Sequence, residues 1–116
     1  MASAMRLKRI NDLLREELSK ILDRELEFPE NSMVTVTRVE TSPDGHYAPV
    51  FLSALGAEKK TILEILEKKV YNIQQLLNRR LRMRPVPKIS FAVDEGEERR
   101  ENIERSLSEL KRKGEM

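Results

Sequence analysis

Five cations and no carboxylate occupy thirteen consecutive residues, Arg79-Arg80-Leu81-Arg82-Met83-Arg84-Pro85-Val86-Pro87-Lys88-Ile89-Ser90-Phe91. The chemistry this offers is anion recognition. A guanidinium is planar, permanently charged and forked, so it fits two phosphate oxygens at once, and lysine adds a mobile point charge. Arginines at a helix C-terminus also suit the macrodipole, but that accounts for one or two of them and not for a run without a balancing acid. Further cations stand at Arg6, Lys8 and Arg9, at Lys59 and Lys60, and at Lys68 and Lys69. The expectation is that they extend the arginine run into one flank, and packing decides whether they do.

Other chemistry is poorly provided for. His46 is the only histidine and cysteine is absent, so a histidine metal cage, a thiolate nucleophile and a disulfide are all unavailable. His46 follows Asp44-Gly45 in a turn sequence, where a solvated histidine is the ordinary reading. Gly45, Gly56, Gly96 and Gly114 fit neither a P-loop nor a dinucleotide fingerprint. Glu97, Glu98, Glu101 and Glu104 lie beside arginines, as solvated ion pairs do. The expectation is a protein without catalytic activity, cofactor or metal. Only five aromatics exist, most of them on inferred core faces, so no base-stacking platform is evident.

The elements that must position the cations follow from hydrophobic period. Leu7, Ile10, Leu14, Leu18, Ile21 and Leu22 recur at helical steps, with Ser3 as N-cap and Phe28-Pro29 as the stop. Met33 to Glu40 is rich in β-branched residues and reads as a strand. Ser42-Pro43-Asp44-Gly45 supplies a turn, and Tyr47 to Leu55 the returning strand. Pro49 has no N–H for a ladder, which predicts an edge position for that strand or that side of it. From Glu58 to about Met83, Ile62, Leu66, Val70, Ile73, Leu77 and Leu81 restore the helical period, and Pro85 and Pro87 end it. Ile89, Phe91 and Val93 alternate with Lys88, Ser90 and Ala92, as in a half-buried strand. Ile103, Leu107 and Leu110 give a thin stripe in the charged remainder, which reads as a weak helix or a frayed tail.

These 116 residues are most economically one domain. The chain holds 16 basic against 12 acidic residues up to residue 93, and 6 against 8 beyond it, so the body is basic and the tail slightly acidic. No apolar run approaches the ~20 residues of a membrane span, and the first residues lack the apolar block of a secretory signal. With no cysteine, this predicts a cytoplasmic protein without membrane contact.

The order of elements meets a known pattern. Met33-Val34-Thr35-Val36 followed by Val39-Glu40, then Ser42, Asp44, Tyr47-Ala48 and Val50, resembles the ribosome-binding factor A family. Leu76-Leu77, Leu81-Arg82-Met83-Arg84, Val86-Pro87 and Phe91 continue the likeness, which covers about residues 5–94. The resemblance implies an α+β, type II KH-like domain of order α-β-β-α-α-β over residues 1–94. Its three-stranded sheet would carry helices on one face; residues 95–116 lie outside the likeness and read as a charged C-terminal helix or flexible tail. It further implies a monomeric, non-catalytic assembly factor that binds the small (30S) ribosomal subunit and its 16S rRNA in late maturation. That role includes 5′-end processing and growth in the cold, and involves no small-molecule substrate.

The family's Ala-x-Gly kink between the last two helices falls on Lys69-Val70-Tyr71, so the expected bend near residues 69–72 would have to come from packing. The expected RNA-binding residues are Arg79, Arg80, Arg82, Arg84, Lys88, Lys68, Lys69, Arg6, Lys8 and Arg9. Two rivals stand beside this reading. One is a protein-interaction module using its amphipathic helices, with salt-insensitive binding. The other is an RNA-modifying subunit that borrows catalytic residues from a partner.

Overall fold

The computed structural model describes residues 3–94; the expected C-terminal helix or tail lies outside the described residues. Helix α1 spans Ala4–Glu25, and the Ser3 hydroxyl accepts the Arg6 N–H at 3.1 Å, which makes Ser3 its N-cap. Strands β1 (Met33–Val39) and β2 (Tyr47–Leu55) form an antiparallel hairpin. Helix α2 (Lys59–Arg80) then carries the chain to β3 (Lys88–Val93), which pairs parallel to β2. The sheet order is β1-β2-β3.

The helices cover one face of this sheet. Leu14, Leu18, Ile21 and Leu22 of α1 and Ile62, Leu66, Ile73 and Leu77 of α2 are buried against Ala48, Val50 and Leu52 of β2 and Ile89 and Phe91 of β3. Each buried leucine or isoleucine contributes about 1.5–3 kcal/mol of transfer free energy, so the apolar stripes seen in the sequence are the main fastening between the layers. The helices pass in opposite directions: Glu17 of α1 meets Arg80 of α2 at 3.2 Å, while Leu26, just past α1, shares a groove with Ile65.

This is the type II KH-like arrangement, with two corrections. The expected second and third helices are one unbroken helix of about 33 Å. Nothing between Lys69 and Asn72 interrupts it; the residues in place of Ala-x-Gly supply no flexible backbone, and Ile73 and Leu77 prolong the stripe begun by Ile62 and Leu66. That helix also stops earlier than periodicity suggests, at Arg80 and not near Met83. Leu81 turns to extended geometry and buries its side chain, and Pro85 disfavours helical geometry at Arg84.

Pro49 supplies the second correction. Strand β2 is central and not at an edge. The Pro49 carbonyl accepts the Glu40 N–H at 3.0 Å, so its nitrogen also faces the β1 side, one residue beyond the end of that strand. The missing donor therefore falls where the ladder is already closing, and pairing with β3 is untouched.

Between the strands, the Gly45 N–H donates to the Ser42 carbonyl at 2.9 Å, and Gly45 takes a φ of 77°. The turn is the one read from Ser42-Pro43-Asp44-Gly45.

Candidate nucleic-acid interface

The connector that follows α2, the start of α1 and the β1–β2 turn converge on a cleft of about 500 Å³. Arg6 and Ile10 line it from α1, Asp44, Gly45 and His46 from the turn, and Met83, Arg84, Pro85 and Pro87 from the connector into β3. Helical spacing explains the α1 contribution, since residues four apart share a face. By the same geometry Arg9 flanks the cleft, whereas Lys8 points to about the opposite side of α1.

Arg84 is held by its own connector. Its Nη1 donates to the Leu81 carbonyl at 2.8 Å and the Met83 carbonyl at 2.7 Å. Of five guanidinium N–H groups this uses two, leaving three for a ligand. The fork is thus placed before any anion arrives, and part of the entropy of ordering a long side chain is already spent.

The one carboxylate lining the cleft is occupied. Asp44 accepts the Ser42 hydroxyl and, at 3.0 Å, the His46 backbone N–H. These bonds, the Ser42 hydroxyl foremost, hold its carboxyl below the usual carboxylate range. The side chain shapes the turn while Arg6 and Arg84 set the sign of the field. His46 is exposed, as a solvated turn histidine should be, yet it forms one wall of the cleft.

The remaining candidate cations divide by position. Arg82 is exposed beside the cleft, and Lys88 is exposed at the first residue of β3. Arg79 reaches back to the Gln75 carbonyl at 3.5 Å, at the limit of a hydrogen bond. Arg80 bridges to Glu17, a pair only 33% and 18% exposed, so it joins the helices. Lys68 and Lys69 lie elsewhere, in a groove of about 370 Å³ that they share with Glu25 and Glu27. Glu25 is nineteen residues along α1 from Arg6, or about 28 Å. The expected single flank is therefore two separate groups. Antiparallel helices bring the end of α2 to the middle of α1 and the connector after it to the start of α1, and leave the middle of α2 beside the acidic end of α1.

Residues that position the cleft carried little sequence signal. Gln74 of α2 donates to the Pro87 carbonyl at 3.1 Å and accepts the Ile89 N–H at 2.9 Å, fixing the connector that bears Arg84 and Pro85. The Asn11 side chain accepts the Thr41 N–H at 2.8 Å and ties α1 to the hairpin. Their only hint is an amide side chain on the inward flank of an amphipathic helix. Among the described residues no cluster of histidine and carboxylates is arranged to hold a metal ion, and no helix is long and apolar enough to cross a membrane.

A KH-like domain with a cationic cleft between the start of a helix, a strand turn and the connector into the last strand defines the class. The chain matches the family model of ribosome-binding factor A over residues 6–107 and belongs to that family. It is 37% identical over 111 residues to ribosome-binding factor A of Macrococcus caseolyticus, covering 94% of this chain and 97% of that one. The protein of the same name from Thermomicrobium roseum is 36% identical over 107 residues, covering 90% of this chain and 83% of the other. In structure, the chain resembles a homology model of Thermus thermophilus ribosome binding factor A as fitted into a cryo-EM map of a 30S complex of that factor. There the TM-score is 0.65 at 28% identity, over 74% of this chain and 92% of that one. A crystal structure of ribosome-binding factor A from Thermus thermophilus, 24% identical with TM-score 0.65 over 75% and 93% of the two chains, shares the fold.

Proposed function

We propose that this chain is a non-catalytic, cytoplasmic assembly factor that binds the small ribosomal subunit as a monomer and contacts its 16S rRNA during late maturation. Processing of the RNA's 5′ end and growth in the cold are the steps it serves. Residues 1–94 form the RNA-binding domain. The reading draws on family membership and on the Thermus relative's 30S complex. The observation that carries it is the convergence of Arg6 and Arg84 on one cleft whose lining carboxylate is already hydrogen-bonded. Arg82 and Lys88 extend this charge, and phosphate is the anion an RNA surface presents at that density.

The test is binding of the purified chain to small subunits across a salt titration, comparing wild type with Arg6→Glu, Arg82→Glu and Lys88→Glu, singly and combined. These positions avoid the Arg80–Glu17 bridge, and circular dichroism checks that each variant stays folded. Removing one phosphate interaction should flatten the slope of log affinity against log salt by about 0.7–0.9. Unchanged affinity and slope in the folded triple variant would refute the reading. Salt-insensitive binding by the wild type would favour the protein-interaction alternative.

A further inference from the structure

The sheet face left uncovered by the helices bears a second kind of contact. Tyr47, at the start of β2, alternates with buried Ala48 and so points away from the core, 59% exposed. An exposed aromatic ring is usually mobile, but this backbone is clamped. The Tyr47 N–H donates to the Ser42 hydroxyl oxygen at 3.0 Å, and its carbonyl accepts the Ser42 N–H at 2.7 Å. Ser42 is in turn bonded to Asp44.

Lys88 stands directly beside Tyr47 in the parallel β2–β3 register, on the same open face. The residues just before this pair, His46 and Pro87, both line the cationic cleft, and the Lys88 N–H donates to the His46 carbonyl at 2.8 Å. Cleft and ring are therefore consecutive along one surface. The next aromatic on that face, Phe51, is already covered by the Arg38 guanidinium, 4.2 Å from its ring centroid. The platform is one ring wide.

We propose that Tyr47 is a base-stacking residue: an unpaired nucleotide of an RNA strand leaving the cleft lays its base on the Tyr47 ring while Lys88 takes its phosphate. A flat π-face accepts any base, so the contact selects single-stranded over paired RNA without reading sequence. The inference rests on the RNA-binding reading above and adds to it the structure of the RNA recognised.

The chain has no tryptophan, so Tyr47→Trp installs a single indole reporter at the site. Titrating the full-length variant with an unpaired oligoribonucleotide of about ten residues, within the range one small domain spans, should quench that fluorescence. A fully paired duplex of equal charge should not. In parallel, fluorescence anisotropy with labelled RNA should show Tyr47→Leu binding about tenfold weaker or worse at unchanged salt slope, with Tyr47→Phe near wild type. Tyr71→Leu, on the outer side of α2, is the control and should bind as wild type.

RNA binding without quenching, or equal quenching by duplex, overturns the stacking proposal and leaves the RNA reading intact. Absence of RNA binding by the wild-type chain overturns both.

Discussion

The Gln74 side-chain oxygen accepts the backbone N–H of Ile89 at 2.9 Å, so a glutamine on α2 stands where the carbonyl of a fourth strand would be. The same amide's nitrogen donates to the Pro87 carbonyl at 3.1 Å, and to Asn78 at 3.0 Å. One side chain thus completes the outer edge of β3 at its first turn and fixes the connector beneath Arg84.

Replacing it tests that relationship. Gln74→Leu keeps the volume but strands a part-buried donor and a part-buried acceptor. The expected loss is about 2 kcal/mol, visible as a lower denaturant midpoint at unchanged slope. Amide exchange at Ile89 should accelerate more than at Phe91. Gln74→Glu keeps the acceptor for Ile89 but turns a carboxylate oxygen on the Pro87 carbonyl, so it should also destabilise the connector.

The two glycines with positive φ should respond unequally. Gly56, at φ 78° where β2 leaves the sheet, lies so close to the Asn31 backbone that an added Cβ would collide with the Asn31 carbonyl oxygen. Asn31 itself adopts φ 64°, so both sides of this approach are conformationally specialised. Gly45 has φ 77° and open space around it. Gly45→Ala should lose only the left-handed backbone preference, about 1 kcal/mol, and Gly56→Ala clearly more, about 2–4 kcal/mol. Thermal or urea unfolding of the two variants decides the order.

Acid should loosen the hairpin turn before the core. The Asp44 carboxyl is held below its ordinary value by the Ser42 hydroxyl and then by the His46 N–H. A folded value below the unfolded one means a contribution complete above about pH 4, and lost as pH falls through the folded value. The Tyr47 amide shift should move as pH falls through that range. Asp44→Ala should abolish the transition, whereas Asp44→Asn retains an acceptor oxygen for both donors and should keep the turn without titrating.

What the sequence disclosed, and what it withheld, follows from the range of each interaction. Local signals were legible: Ser3 as N-cap, the Ser42–Gly45 turn and the Leu14, Leu18, Leu22 stripe each depend on neighbours within a few residues. Strand β2 was bounded correctly, yet its central place was hidden, because the cost of Pro49 depends on which neighbour its nitrogen faces. The end of α2 is hidden in the sequence because Leu81 keeps the helical period and stays buried although its backbone has turned extended. Among the cations, type and number were plain, but only the antiparallel crossing of α1 and α2 sorts Arg6 with Arg84 and sends Lys68 to Glu25 and Glu27. Clustering in the chain did not predict clustering in space.

The parallel pairing of β2 with β3 fixes an order of events. Ala48 meets Ile89 across about forty residues, so that ladder must wait for α2 and for closure of a long loop, whereas the β1–β2 hairpin closes locally. His46 and Pro87 face each other only after this closure. During synthesis the cleft is therefore incomplete until the connector through Pro87 has emerged and β3 has paired beside β2.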